Sequence, residues 1–350
     1  MNRKMKNFMA AKIKLALTSL KITPRSVLNH YSRRDSKSLF LLKLRLKIAT
    51  AFRPKQKNAI NYSRIAWALT RPCETHMLES DPEILPKIDL VFVATVKDFA
   101  ILPFAIWSAY EASLNPVSNI FLCVPISQKD ECRLLIETSL EIRDLPVPIS
   151  LRFDEEIIGE VALQELDLRF GTRAGWYAQQ LIKLSLVTES KSLGVLVVDA
   201  DTMLLTPRTW VTSDCRQILC PSFESHEPYV YFMKFMDPDL SLSGASFVSH
   251  HMLMQPSIVK EFLNRWGMAN IDDLAISIAN YSKARNGQDF FSEYETYASS
   301  LIHYHQNRAL LVKWSNLSKA RPQTISVIRS VIRKLREDEK YFSVSMHDYL

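Results

Sequence analysis

Glycine is scarce in this chain, seven residues in 350, yet Gly171 and Gly175 bracket a single arginine, Arg173. The five cysteines, Cys73, Cys123, Cys132, Cys215 and Cys220, contain no C-x-x-C pair and make no even-numbered set. That excludes a disulfide framework and fits thiols serving as small apolar side chains in a reducing compartment. No apolar run reaches the ~18 uninterrupted residues of a membrane-spanning helix. Arg3, Lys4 and Lys6 open the chain as a signal peptide would. However, Lys12 and Lys14 interrupt the apolar region and no small-residue cleavage site follows, so the expectation is a cytoplasmic protein. Internal repeats and low-complexity tracts are absent.

Acidic residues are missing from one end. Residues 1–65 hold 17 Lys and Arg against one acid, Asp35, whereas 27 bases face 36 acids in the remainder. The formal net charge of +7 therefore belongs to an acidic body carrying a basic arm. In that arm Met5, Phe8, Met9, Ile13, Ala16, Leu17 and Leu20 follow helical spacing. Further on, Leu42, Leu44, Leu46 and Ile48 alternate with Lys43, Arg45 and Lys47, so helix and strand patterns compete. Two readings stand: an arm lying on an anionic membrane surface, each base there contributing about 1 kcal/mol, or a solvated extension packing loosely on the body. Nucleic acid comes third, because no recognition module follows. Residues 66–87, with Pro72, Pro82 and Pro86, read as a linker, and residues 88–350 as the main domain. With 47% hydrophobic residues the chain can bury one large core or two modest ones.

The main domain is organised around Leu193-Gly194-Val195-Leu196-Val197-Val198-Asp199-Ala200-Asp201-Thr202. A short β-branched run ending in two carboxylates suits a fully buried strand. Carboxylates just past the carboxyl end of such a strand face the crevice where open α/β sheets bind ligands. Separated by one residue, Asp199 and Asp201 can turn toward one hard divalent cation, Mg²⁺ or Mn²⁺, which keeps positions free for substrate phosphates.

Around that stretch the pattern predicts strands over 88–96, 119–124 and 148–153, with helices over 101–114 and 128–142 between them. A long helix is expected over 174–189, ahead of the strand at 195–199. This alternation predicts a mixed, mostly parallel sheet with helices on both faces. Further strands are expected at 217–220, 243–254 and 341–346, and helices over 257–266, from 288 and over 325–336. The 174–189 helix carries Trp176, Gln180 and Lys183 just after Arg173, side chains that suit a nucleotide base and diphosphate; an ordinary amphipathic helix with Trp176 as core anchor is the other reading. His250 and His251 fall on an expected strand, where neighbours face opposite sides, so at most one addresses the site. Glu293 and Glu295 could supply a general base, or could be acids stabilised by a helix N-terminus. His303 and His305 read as ordinary surface residues.

A first βα unit, a Trp/Gln/Lys helix, an apolar strand ending in Asp-Ala-Asp, a Phe-Val-Ser-His-His-Met strand and a Ser-Glu-Tyr-Glu helix follow one another in that order. This set resembles a largely uncharacterised bacterial family of GT-A-type glycosyltransferases with an Asp-x-Asp motif, over roughly residues 88–348. The resemblance implies a GT-A-like, Rossmann-like fold and a metal-dependent glycosyltransferase. Such an enzyme moves sugar from a nucleotide-sugar donor to a polysaccharide or glycolipid acceptor, at the cytoplasmic face of the membrane. It implies that Asp201 ligates Mn²⁺ or Mg²⁺ and that Asp199 reaches the metal through water or binds the ribose. Arg173 and Lys183 would hold the diphosphate, Asp98 the nucleoside, and His347 would complete the metal shell, with Glu293 and His250 as catalytic candidates. The glycine-rich surroundings that follow that histidine elsewhere are absent from this chain.

Two other classes remain open from the residues. Asp199-Ala200-Asp201-Thr202 also matches the start of haloacid-dehalogenase-like phosphatases, with Asp199 as nucleophile and Asp272-Asp273 as the later acidic pair. About three strands precede the motif, however, where that fold should place it first. The other class is a catalytically inactive nucleotide-binding or membrane-associated scaffold.

Overall fold

The computed structural model describes residues 81–222, 226–240, 246–283, 289–312, 315–322, 324–338 and 340–347. The basic arm and most of the expected linker lie outside these residues. Every element below belongs to one compact unit, Cys73–Ser222 with His226–Leu242 and Phe247–Leu350.

That unit is built on β1 (Ile88–Val93), β2 (Val117–Val124), β3 (Ile149–Phe153), β4 (Gly194–Val198) and β7 (His251–Met254). They lie in the order β3-β2-β1-β4-β7, parallel except for β7, which runs antiparallel to β4. Between β4 and β7 the chain makes β5 (Thr202–Leu204) and β6 (Gln217–Leu219); β8 (Ala309–Leu311), β9 (Asn316–Ala320) and β10 (Ser343–His347) follow. β5, β10 and β9 form a three-stranded sheet, and β6 pairs with β8. The helices of ten residues or more among the described residues are α1 (Leu102–Glu111), α2 (Lys129–Thr138), α3 (Glu160–Phe170), α4 (Ala174–Glu189), α5 (Glu227–Met236), α6 (Pro256–Arg265), α7 (Ile271–Lys283), α8 (Glu293–Tyr304) and α9 (Ile325–Asp338).

The strand pattern dictates the layers. Alternation along β1 sends Ile88, Leu90 and Phe92 into a core shared with Leu102, Ile106 and Ala109 of α1 and Ile328 and Leu335 of α9. Val91 turns to the opposite face, where α4 covers β1 and β4. Both faces are covered, so the expected mixed, mostly parallel sheet flanked by helices is the architecture observed. Asp89 interrupts the apolar run of β1 and is nevertheless buried, because Ser190, just past α4, donates its hydroxyl to it at 2.5 Å. Gly194 opens β4 where a Cβ would stand 2.9 Å from Leu253 on β7. A larger residue there would have to displace the Leu253 side chain.

Several elements differ from expectation. The helix expected over 128–142 breaks at Ser139, whose backbone is extended, into α2 and a short turn, Leu140–Arg143. The strand expected over 243–254 is confined to β7, and His250 just before it has φ +64°; residues 241–245 lie outside the described set. The helix expected from residue 288 begins at Glu293, where Ser292 caps it by accepting a bond from the Glu295 N–H at 3.3 Å. Helices α3, α5 and α7 and strands β5, β8 and β9 were not expected. No helix among the described residues is long and apolar enough to cross a membrane.

Candidate active site at the carboxyl end of β4

The connections leaving β1 and β4 diverge, β1 toward β2 on one side and β4 toward the rest of the chain on the other. This is the switch point at which open α/β sheets form a ligand crevice. The turn after β4 begins with the Asp199 N–H donating to the His250 carbonyl at 2.9 Å and closes with the Thr202 N–H donating to the Asp199 carbonyl at 2.9 Å. It carries the chain from the five-stranded sheet to the three-stranded one. The two carboxylates therefore end in different surroundings.

Asp199 is packed against α4 and α8, with 21% of its side chain exposed. Its Oδ1 accepts from Lys183 Nζ of α4 at 2.5 Å and from the Tyr294 hydroxyl of α8 at 2.9 Å. His250 Nδ1 stands 3.2 Å from its Oδ2. The Lys183 ammonium also donates to Glu293 Oε1 at 2.8 Å, and Lys183 and Glu293 are both only 3% exposed. Burial alone would raise the Asp199 carboxyl, but the Lys183 charge and the bond from His250 outweigh it and hold it well below the usual carboxylate range. Burial would likewise lower Lys183, yet the two carboxylates keep its ammonium above its ordinary value. Glu293 goes the other way: burial raises its carboxyl, Lys183 offsets only part of that, and Asp199 adds to the rise. Burial and the Asp199 charge also push the Tyr294 phenol well up.

Asp201 faces the three-stranded sheet. The Met346 N–H of β10 donates to its carbonyl at 2.9 Å, which brings His347 alongside, with Nδ1 2.9 Å from Asp201 Oδ2. The rings of His347 and His250 lie 5.3 Å apart, centroid to centroid. The side chain of Asp201 is 21% exposed. A carboxylate oxygen and an imidazole nitrogen are donors that fit Mg²⁺ or Mn²⁺, ions that take few protein ligands and complete their shells with water and phosphate oxygens. Among the described residues no group of three or more His, Cys, Asp and Glu side chains converges as a metal cage. Both oxygens of Asp199 are engaged, Oδ1 by Lys183 and Tyr294 and Oδ2 by His250, while those of Asp201 meet only His347 and the neighbouring Thr202 hydroxyl.

The remaining candidates divide. Lys183 is committed to Asp199 and Glu293 and does not present its charge to a diphosphate. Glu293, buried against Lys183, is not placed to meet an acceptor hydroxyl. Arg173 forms a two-pronged pair with Asp289 and lies over the Trp176 ring at 4.9 Å. Gln180 is buried, donating to the Trp176 carbonyl at 3.2 Å and accepting from the Glu293 N–H at 3.2 Å. Asp98 caps the turn after β1, accepting from the Thr95 N–H at 2.9 Å, and pairs with Arg321 at 3.3 Å. His251 is 2% exposed and packs edge-on against Trp210 at 5.6 Å. Burial, with Arg208 nearby, lowers its imidazole to about 3. Glu295 accepts from the Phe247 N–H at 2.8 Å and serves the fold. The acids of the phosphatase reading bond to backbone: Asp272 accepts from the N–H of Gly159, just before α3, at 3.0 Å, and Asp273 from the Ala269 N–H, just before α7, at 2.8 Å.

Sequence reasoning missed Tyr294, which stands between the two singled-out glutamates, and Arg321, whose N–H donates to the His347 carbonyl at 3.1 Å. Position beside Glu293 was a usable signal for the first. The second depends on the pairing of β9 with β10, which no local pattern announces.

No family model matches the chain, and no curated protein matches it in sequence. Solved structures do overlap with it. Mouse xyloside xylosyltransferase 1, in its apo form, aligns at TM-score 0.41 and 8% identity, over 75% of this chain and 98% of that one. The bifunctional glycosyltransferase WbbM aligns at TM-score 0.40 and 12% identity over 74% of this chain, which spans 45% of that protein. The galactosyltransferase LgtC, solved with donor and acceptor sugar analogs, aligns at 0.38 and 14% over 74% of this chain and 87% of its own. All three are glycosyltransferases.

Proposed function

We propose that the protein is a metal-dependent glycosyltransferase of GT-A type that transfers a sugar from a nucleotide-sugar donor to a glycan or glycolipid acceptor. The observation that carries this reading is the Asp201–His347 pair, two metal-donor side chains 2.9 Å apart at the carboxyl end of β4, beside the switch point between β1 and β4. Asp201 and His347 would hold Mn²⁺ or Mg²⁺, which supplies positive charge against the negative charge that builds on a departing nucleoside diphosphate.

The chain's own residues prepare the rest of the crevice. The turn after β1, fixed by Asp98, forms the side on which a nucleoside would lie. Lys183 and Tyr294 hold Asp199 in one position, and Asp199 in turn fixes the His250 imidazole. His250 keeps its left-handed backbone there, an uncommon conformation for a residue with a Cβ and one that collects at functional sites.

A thermal-shift screen of nucleoside diphosphates with and without Mn²⁺ tests the reading. A ligand that binds only the folded state stabilises it by about 2.7 kcal/mol at a hundred times its dissociation constant. The expected outcome is a rise in midpoint with one diphosphate that requires Mn²⁺ and disappears in Asp201→Ala. Folded protein that responds to none of them would remove the nucleotide-sugar assignment.

A further inference from the structure

The three-stranded sheet is short and partly exposed at β9, yet its centre is polar rather than apolar. β10 reads Ser343-Val344-Ser345-Met346-His347, and alternation sends Val344 and Met346 into the main core while Ser343, Ser345 and His347 share the other face. Thr202 of β5 lies directly across from Ser345, and Asn316 of β9 across from Ser343. Thr202, Ser343 and Ser345 are fully buried. Burying three hydroxyls is costly unless each finds a partner, and the partners form one line. Ser343 Oγ donates to Asn316 Oδ1 at 2.8 Å, and Asn316 Nδ2 donates to Ser345 Oγ at 3.1 Å. Ser345 Oγ and Thr202 Oγ1 are 2.8 Å apart, and Thr202 Oγ1 donates to Asp201 Oδ1 at 3.2 Å.

A carboxylate oxygen only accepts, so the Thr202 proton goes to Asp201. Thr202 is then free to accept from Ser345, whose Oγ accepts from Asn316 Nδ2 and also lies 3.3 Å from Asn316 Oδ1. With the Ser345 proton on Thr202, the shorter of its two contacts, the row runs from Asn316 toward Asp201. Its other oxygen is held by His347 from the same strand, so one rigid sheet fixes both oxygens of the carboxylate.

We propose that Thr202, Ser345 and Asn316 are positioning residues that set the orientation of Asp201 for cation binding, in concert with His347. This rests on the reading of Asp201 and His347 as the cation site. Partners behind a metal ligand fix its orientation and basicity, and their loss typically weakens metal binding about 10- to 100-fold.

The test is Mn²⁺ titration of the full-length protein by calorimetry or electron paramagnetic resonance, with thermal midpoints measured in parallel. Thr202→Val keeps the shape and removes the proton. It should weaken Mn²⁺ binding about tenfold, and Thr202→Ser, which restores the hydroxyl, should return it to near wild type. Ser345→Ala, one step further along the row, should have a smaller effect in the same direction, and it carries the test if Thr202→Val does not fold. A row that only packs would lower the midpoint of these variants and leave Mn²⁺ affinity unchanged, which would overturn the proposal while sparing the cation site. Wild-type protein that binds no Mn²⁺ would overturn both.

Discussion

Asp199 and Asp201 are separated by one residue and belong to two different electrostatic regions. On the Asp199 side a lysine, two carboxylates and a phenol are packed between α4, β4 and α8, where they bind one another. On the Asp201 side a single histidine and a row of neutral hydroxyls hold a carboxylate that is as exposed as that of Asp199, 21% for each side chain. The difference comes from the turn at Asp199–Thr202, which leaves one carboxylate under the large sheet and hands the other to β10. An Asp-x-Asp pair is therefore not one site with two equivalent sets of oxygens. In this chain the first carboxylate is bound to a charged cluster of Lys183, Tyr294 and His250, and the second to neutral hydroxyls and His347.

The contrast should collapse most completely at Lys183. Lys183→Met leaves Asp199 and Glu293 facing each other without their common cation. Removing one partner of a buried ion pair costs about 3–5 kcal/mol, so urea unfolding should show a loss of that size. Adding Glu293→Gln should recover part of it, whereas an unchanged midpoint in Lys183→Met would show that the cluster is not coupled as described.

A pH titration of stability probes a second buried group, His251. Its folded-state value is lowered from 6.5 to about 3, so the folded protein resists a proton that the unfolded chain accepts. Its contribution is intact above 6.5 and is lost as pH falls toward 3. Asp199, also lowered, acts in the same direction at still lower pH. The His251→Gln variant should show a flatter decline than wild type between about pH 6.5 and 4; parallel curves would remove the assignment.

A much smaller effect is expected at Arg173, whose pair with Asp289 is roughly half exposed. Exposed pairs contribute about 0–1 kcal/mol, so Arg173→Ala should shift stability by less than about 1 kcal/mol. A larger shift would mean that the Arg173–Trp176 corner is part of the organised interior.

Much of this arrangement was legible in the chain. β1, β2, β3 and β4 announce themselves as apolar runs, and α4 occupies residues 174–189 as its periodicity requires. The carboxylates after β4 were found from their place behind an apolar run, and the histidine at the end of β10 from the family resemblance. Partnerships were not legible. Lys183 looks like a phosphate-binding cation in a one-dimensional reading, because the sequence distance of 110 residues to Glu293 hides the contact that neutralises it. The helix α3, with Val161 and Leu168 exposed, has too ragged an apolar face to be recognised. The polar row of Asn316, Ser345 and Thr202 depends on strand pairing across 143 residues between Thr202 and Ser345 and on a parallel neighbour, and no local pattern encodes either.

The most direct test of the division between the two carboxylates is Mn²⁺ affinity in Asp199→Asn and Asp201→Asn, each measured on protein shown to be folded. Mn²⁺ binding should be lost in Asp201→Asn and retained in Asp199→Asn. Loss in Asp199→Asn with retention in Asp201→Asn would contradict the account and return the first carboxylate to the metal.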